Sequence, residues 1–175
     1  FSNELVLSIS LSNAQFAMPN LVGELQRAIA MNDLRPQQLE VEVVEASLMH
    51  NREEASAQLA QLRNLGVRIA LDDFGSGPCS LSLLRDLPID TLKLDRHLVA
   101  RLPGSARDAI LARSVIELCR EYGITVIAEG VETREQYQWL LAHQCEFIQG
   151  FVVSRPLTAA DAGNFPLRFD WSSLR

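Results

Sequence analysis

Apolar residues return along this chain in two rhythms that take turns. Short runs rich in aliphatic and β-branched residues occupy 5–11, 39–44, 67–71, 91–94, 125–128 and 146–148, and they predict strands. Between them, over 18–31, 52–65, 80–85, 106–122 and 134–142, apolar positions recur every three or four residues, the spacing of helices with one buried face. Punctuation agrees with this division. Gly66 and Gly123 follow helical stretches, Pro19 stands near a helix start, and Thr133 precedes Glu135 and Gln136 as a helix N-cap would. Past Pro156 the pattern predicts a short helix and an irregular end. No low-complexity linker or charge block interrupts the chain, so residues 1–175 are read as one domain, with no second domain.

An alternation of strand and helix with short connections demands parallel strands, arranged either as an open doubly wound sheet or as a (β/α) barrel. The open nucleotide-binding sheet usually places a glycine-rich turn after its first strand, whereas here the run 5–11 leads into SNAQFAMP, without glycine. Instead an ionisable or amide residue stands near the end of strand after strand: Glu42, Asp72 and Asp73, Lys93 and Asp95, Glu129 and Glu132, Gln149. A barrel gathers its strand C-termini at one mouth, where these groups would meet. The expected fold class is therefore α/β, of the barrel kind.

The segment LEVEVVE alternates Glu40, Glu42 and, past the pleat, Glu45 with valines. Taken alone, that alternation describes the solvated side of an edge strand. VRIALDDFG reads differently: a mostly apolar, buried strand ends in two adjacent carboxylates, a concentration of like charge that cations relieve. Carboxylate oxygens are hard ligands and suit magnesium or manganese. TLKLD aims Lys93 and Asp95 to the side opposite Leu92 and Leu94, and a lysine so placed makes an ion pair or meets phosphate charge. VIAEGVE adds Glu129 and Glu132 around Gly130, whose missing side chain permits close approach, and FIQG adds the amide of Gln149. Acids, a lysine and an amide converging at one mouth form the inventory of metal-assisted phosphodiester hydrolysis.

Composition narrows the alternatives. The 175 residues are 47% apolar, enough for one core, but their net charge of -6 is the wrong sign for a general binder of nucleic-acid backbones. Cys79, Cys119 and Cys145 form no CxxC pair, and His50, His97 and His143 lack ligand spacing. Neither a disulfide framework nor a zinc site is expected, and a reducing cytoplasm fits best. No apolar run approaches the roughly 18 residues that a membrane span needs.

Together LEVEVVE, ALDDFGSG, LKLDR, IAEGVET and QGFVVSRPL, over 39–157, resemble in order and spacing the later motifs of the EAL domains, which are bacterial phosphodiesterases and receptors for cyclic di-GMP. LSISLSNAQF extends the likeness toward the start. The resemblance implies a modified TIM (β/α)8-type barrel, two magnesium or manganese ions, and hydrolysis of cyclic di-GMP to pGpG. It further implies homodimerisation, an attached sensory or GGDEF domain, and a cytoplasmic location, in some members within a membrane-anchored protein. By position it makes Glu42 a ligand of the first metal, Asp72 a bridge between the metals, and Asp73 and Glu129 ligands of the second. Lys93 falls beside the attacking water, with Gln149 in the same network; Glu45 and Glu132 support the loop 74–80, and Arg155 and Pro156 face the edge of the dinucleotide.

Two departures temper what the resemblance implies. The signature Glu-Ala-Leu strand would precede Phe1, so the barrel is expected here without its first strands and without one glutamate ligand. Ser10 stands where the family carries a metal-binding asparagine, which weakens the first metal site further. Two functions follow: a metal-dependent cyclic di-GMP phosphodiesterase, or a catalytically degenerate domain that serves as a cyclic di-GMP receptor or a protein-interaction scaffold.

Overall fold

The computed structural model of the protein describes residues 5–49, 52–76 and 81–165. Its six strands are β1 (Leu7–Ser10), β2 (Leu39–Val44), β3 (Arg68–Phe74), β4 (Thr91–Leu94), β5 (Thr125–Glu129) and β6 (Phe147–Gln149). They form one parallel sheet in which each strand pairs with the next in sequence. A doubly wound sheet would reverse its order at a switch point; an unbroken sequential order is that of a barrel wall, as expected. The helices are α1 (Asn13–Phe16), α2 (Leu21–Met31), α3 (Glu45–Met49), α4 (Arg52–Leu65), α5 (Ser82–Asp86), α6 (Arg96–Val99), α7 (Ala106–Tyr122), α8 (Arg134–Ala142) and α9 (Ala159–Ala162).

The predicted and observed elements differ in instructive places. The helical pattern over 18–31 starts late, α2 beginning only after Pro19 and Asn20, and it is preceded by a separate short helix, α1, which a capping box of Ser12 and Gln15 starts. The strand pattern over 67–71 runs on through the two aspartates to Phe74. Local signals set the other ends as expected. Thr133 and Gln136 form the reciprocal cap of α8, and Gly123 ends α7 in the left-handed conformation, φ 69°. His50, Cys79 and the residues after Phe165 lie outside the described residues.

Alternation along the strands sorts the side chains onto two unlike faces. Outward, Val41, Val43, Ile69, Leu71, Leu92, Leu94 and Ala128 are wholly buried against helix residues such as Leu48, Leu59, Leu62, Ala112 and Ile116. Each aliphatic side chain so buried stabilises the fold by about 1.5–3 kcal/mol, which is what holds the wall together. The inward face is polar. There Glu42 of β2 lies 2.8 Å from Lys93 of β4, although β3 runs between them. Neighbouring strands are about 4.8 Å apart, so such contacts fit a wall curled inward. Ala70, the register partner of Glu42 on β3, leaves room between the two side chains.

Candidate metal and phosphodiester site

The inward face carries a continuous polar network from β1 to β5. Ser8 donates to Glu42 Oε1 at 2.7 Å and lies 3.2 Å from Glu40 Oε1, while Ser10 donates to Glu42 Oε2. Thr91 donates to the other oxygen of Glu40 at 2.6 Å, and the Arg68 guanidinium stands 3.8 Å from the same atom. Lys93 then reaches Glu42 at 2.8 Å, Glu129 at 2.5 Å and Asp72 at 3.8 Å. Lys93 is 6% exposed, and burial of that kind is tolerable only because carboxylates surround its ammonium.

The glutamates of β2 are therefore not the solvated side of an edge strand. β2 lies between β1 and β3, and Glu40 and Glu42 are 5% and 8% exposed. Alternation alone could not distinguish a face turned to water from one turned into a polar interior.

Asp72 and Asp73 are consecutive and on a regular strand would point to opposite faces. The ladder between β3 and β4 shifts between Leu71 and Phe74, and Asp73 adopts φ 58°. This bulge turns the second carboxylate back toward the first. Aspartate tolerates the left-handed region better than most residues, so the strain is modest. As a result, ligand atoms of Asp72, Asp73 and Glu129 lie within 4.8 Å of one another. Three carboxylates at that spacing can share a hard divalent cation, and the donor chemistry suits magnesium, manganese or calcium.

The far strands are fixed by backbone contacts. Glu129 and Gln149 are register partners, the Val131 amide donates to the Gln149 carbonyl at 3.1 Å, and the Val152 amide donates to the Val131 carbonyl at 3.0 Å. Gly150 makes this stitching possible, since a Cβ there would fall 2.2 Å from the Val131 oxygen.

Electrostatics follow from the crowding. Burial would raise the Glu42 carboxyl, but hydrogen bonds from Lys93, Ser10 and Ser8 outweigh it and hold the pKa below the ordinary value. Asp72 moves the other way: burial and the neighbouring Glu129 and Glu42 raise it, against the pull of Lys93. Burial would weaken the Lys93 ammonium, yet Glu129 and Glu42 keep it well above its ordinary value, charged at any working pH.

The remaining expected residues are placed as follows. Asp95 is buried and caps α6, accepting from the His97 amide at 2.8 Å, so its carboxylate serves the helix. Glu45 opens α3 half-buried; of the loop 74–80 that it was expected to support, the described part ends at Ser76. Glu132 is exposed, and its amide donates to Gln136 Oε1 at 2.8 Å within the α8 cap. Arg155 and Pro156 are exposed beyond β6, with the Arg155 guanidinium 4.6 Å above the Phe151 ring. Gln149 is exposed at the end of β6. As expected, His97 and His143 take structural roles, the first beside Asp95 and the second stacked on Trp139 at 3.9 Å. Sequence reasoning overlooked Ser8, Thr91 and the interior place of Glu40; Ser8 and Thr91 stand two residues before Ser10 and Lys93, on the same face.

Comparison with known proteins agrees with this geometry. The EAL domain family matches residues 2–156. The cyclic di-GMP phosphodiesterase NbdA of Pseudomonas aeruginosa is 38% identical over 168 residues, 95% of this chain and 22% of that protein. The bifunctional diguanylate cyclase/cyclic di-GMP phosphodiesterase MucR of the same organism is 36% identical over 153 residues, 87% of this chain and 22% of that protein. The chain thus spans about a fifth of the length of these relatives. Klebsiella pneumoniae BlrP1, solved as a manganese/cy-diGMP complex, superposes with a TM-score of 0.83 at 36% identity, over 88% of this chain and 40% of that one. No helix among the described residues is long and apolar enough to cross a membrane. With matching motifs, sheet order and wall geometry, the chain belongs to the EAL domain family, whose TIM-type barrel it displays as a six-stranded parallel segment.

Proposed function

We propose that this chain is a cyclic di-GMP signalling domain that binds the dinucleotide across the mouth of the wall and hydrolyses it to pGpG. One observation carries the reading: the Asp72, Asp73 and Glu129 donors lie within 4.8 Å of one another, beside the buried ammonium of Lys93. These acids would hold magnesium or manganese. A cation bound there neutralises phosphate charge and eases the ionisation of water. Lys93 adds a fixed positive charge facing the phosphate, and Gln149, register partner of Glu129, can orient a water by donating and accepting. Hydrolysis forms one bond from a water oxygen to phosphorus and breaks one bond to a ribose 3′ oxygen, which takes up the proton. Arg155, stacked on Phe151, and Pro156 would meet the edge of a base.

The relatives' names support cyclic di-GMP as ligand, and the manganese in the BlrP1 complex supports the metal. By the same kinship the chain works as the EAL domain of a cytoplasmic homodimer, with a diguanylate cyclase or sensory domain attached. A second reading, a degenerate receptor or scaffold, is favoured by Ser10, whose hydroxyl donates to Glu42 where the family offers an amide oxygen. Incubation with cyclic di-GMP and Mn2+ is expected to yield pGpG. Calorimetric binding without turnover would establish the receptor instead, and neither binding nor turnover would overturn both nucleotide readings.

A further inference from the structure

Ser8 has one hydrogen to give and two carboxylates within reach of it. Its hydroxyl lies 2.7 Å from Glu42 Oε1 and 3.2 Å from Glu40 Oε1, so Glu42 holds the larger share. Glu42 has other donors, Lys93 at 2.8 Å and Ser10. Glu40 is less well provided. It is 5% exposed and accepts from Thr91 at 2.6 Å on its other oxygen, while the Arg68 guanidinium stands 3.8 Å away with its side chain 40% exposed.

A buried carboxylate held chiefly by neutral hydroxyls costs the fold stability, and an apolar side chain would pack there at lower cost. What glutamate supplies at this position and an apolar residue does not is a second acceptor for Ser8, its register partner on β1. The site has a use for one, because Glu42 shares Lys93 with Glu129 and Asp72 and so borders the space where a cation would enter. An ion engaging Glu42 draws off the negative charge that holds the Ser8 hydrogen, since hydrogen bonds to a fully charged acceptor are the stronger ones. The balance then tips toward Glu40, and the hydroxyl turns from one carboxylate to the other without being left unpaired.

We propose that Glu40 is a positioning residue for cation binding: it receives the Ser8 hydroxyl when a divalent ion engages Glu42, so that the ion enters without stranding a donor. The inference rests on the reading of Glu42 as a cation ligand in the phosphodiester site. Glu40 itself touches neither ion nor dinucleotide and acts only through Ser8.

The test is Mn2+ affinity by calorimetry, with denaturant unfolding of the same variants. Glu40→Gln removes the charge but keeps an oxygen for Ser8, and it is expected to weaken Mn2+ binding about fivefold or less, the influence of one charge across a solvated mouth. Glu40→Leu removes both and is expected to weaken it about tenfold further, the usual effect of disturbing the contact behind a ligand. In a Ser8→Ala background that further loss disappears, because no hydroxyl remains to hand over. The unfolding midpoint of Glu40→Leu stays at or above that of the original chain. If the single variant does not fold, Glu40→Leu with Thr91→Val, which also removes the hydroxyl left without its acceptor, serves the same comparison. Equal weakening by Gln and Leu would make Glu40 a source of charge alone and overturn the inference. So would the same further loss in Ser8→Ala, or a midpoint that falls in step with the affinity. Those results, obtained on a chain that binds Mn2+, defeat this inference alone; an original chain that binds no Mn2+ defeats the functional reading, and this inference with it.

Discussion

The middle and the rims of the sheet use the same alternation to opposite ends. On β2 and β4 the inward positions are Glu40, Glu42, Thr91 and Lys93, all buried and all hydrogen-bonded or ion-paired. On β6 the corresponding residues are Phe147 and Gln149, both exposed, and on β1 the inward Ser8 and Ser10 are exposed as well. The difference lies in the neighbours. An inward residue in the middle meets side chains from the strands on both sides, so charge there must be paired. At a rim only one neighbouring strand among the described residues contributes, and pairing matters less.

The largest test of that contrast is Lys93→Met. It leaves Glu42, Asp72 and Glu129 gathered without their shared cation, and we expect a loss of about 3–5 kcal/mol in denaturant unfolding, the usual cost of removing one partner of a buried ion pair. Leu92→Ala, the adjacent residue on the outward face, should cost about 2–5 kcal/mol through its cavity. The two are separable: Mn2+ should restore much of the stability of Lys93→Met by replacing the lost positive charge, and none of the loss in Leu92→Ala beyond the gain seen in the original chain. Equal rescue of both would show that the network is not what binds the ion.

How far the sequence carried this contrast depends on what each residue meets. Helices α4, α7 and α8 were readable end to end because their starts and stops are local chemistry, such as the Thr133 and Gln136 box and Gly123. The barrel order was readable because strand-end polarity recurs. The buried state of Glu40 was not, because a solvated face and a polar interior both alternate with valine, and only the curl of the wall decides between them. The bulge at Asp73 was equally hidden: adjacent aspartates announce charge but not that one adopts a left-handed backbone and joins the other. Nor does sequence reveal that Ser10 donates to Glu42.

Thr91→Val comes next in size. It removes the hydroxyl that satisfies one oxygen of buried Glu40 while keeping the side-chain shape, and a loss of about 1–3 kcal/mol is expected in urea unfolding. A change near zero would mean that Arg68 alone satisfies that oxygen of Glu40.

Acid should separate the two regions more finely. The folded pKa of Glu42 lies below its ordinary 4.5, so it contributes stability that is present above that pH and is lost as pH falls through the folded value. Asp72 has the opposite sign, raised from 3.8: its protonated form is favoured by folding, and stability from it is lost as pH rises through the folded value. Thermal unfolding of Glu42→Gln should therefore show a flatter decline below pH 4.5 than the original chain, and a steeper one would place the acid sensitivity elsewhere.

The smallest effect belongs at the rim. Phe147 is 53% exposed on β6, with one strand neighbour, β5, among the described residues. Replacing it with threonine keeps a residue that favours strands and removes apolar surface already half in water, so a change of about 0.5 kcal/mol or less is expected in the same unfolding experiment. A loss as large as that of Thr91→Val would mean that Phe147 is covered in solution by another strand or chain. The rim would then obey the same demand for neighbours as the middle, and the contrast between them would measure what surrounds each strand instead of anything in its own sequence.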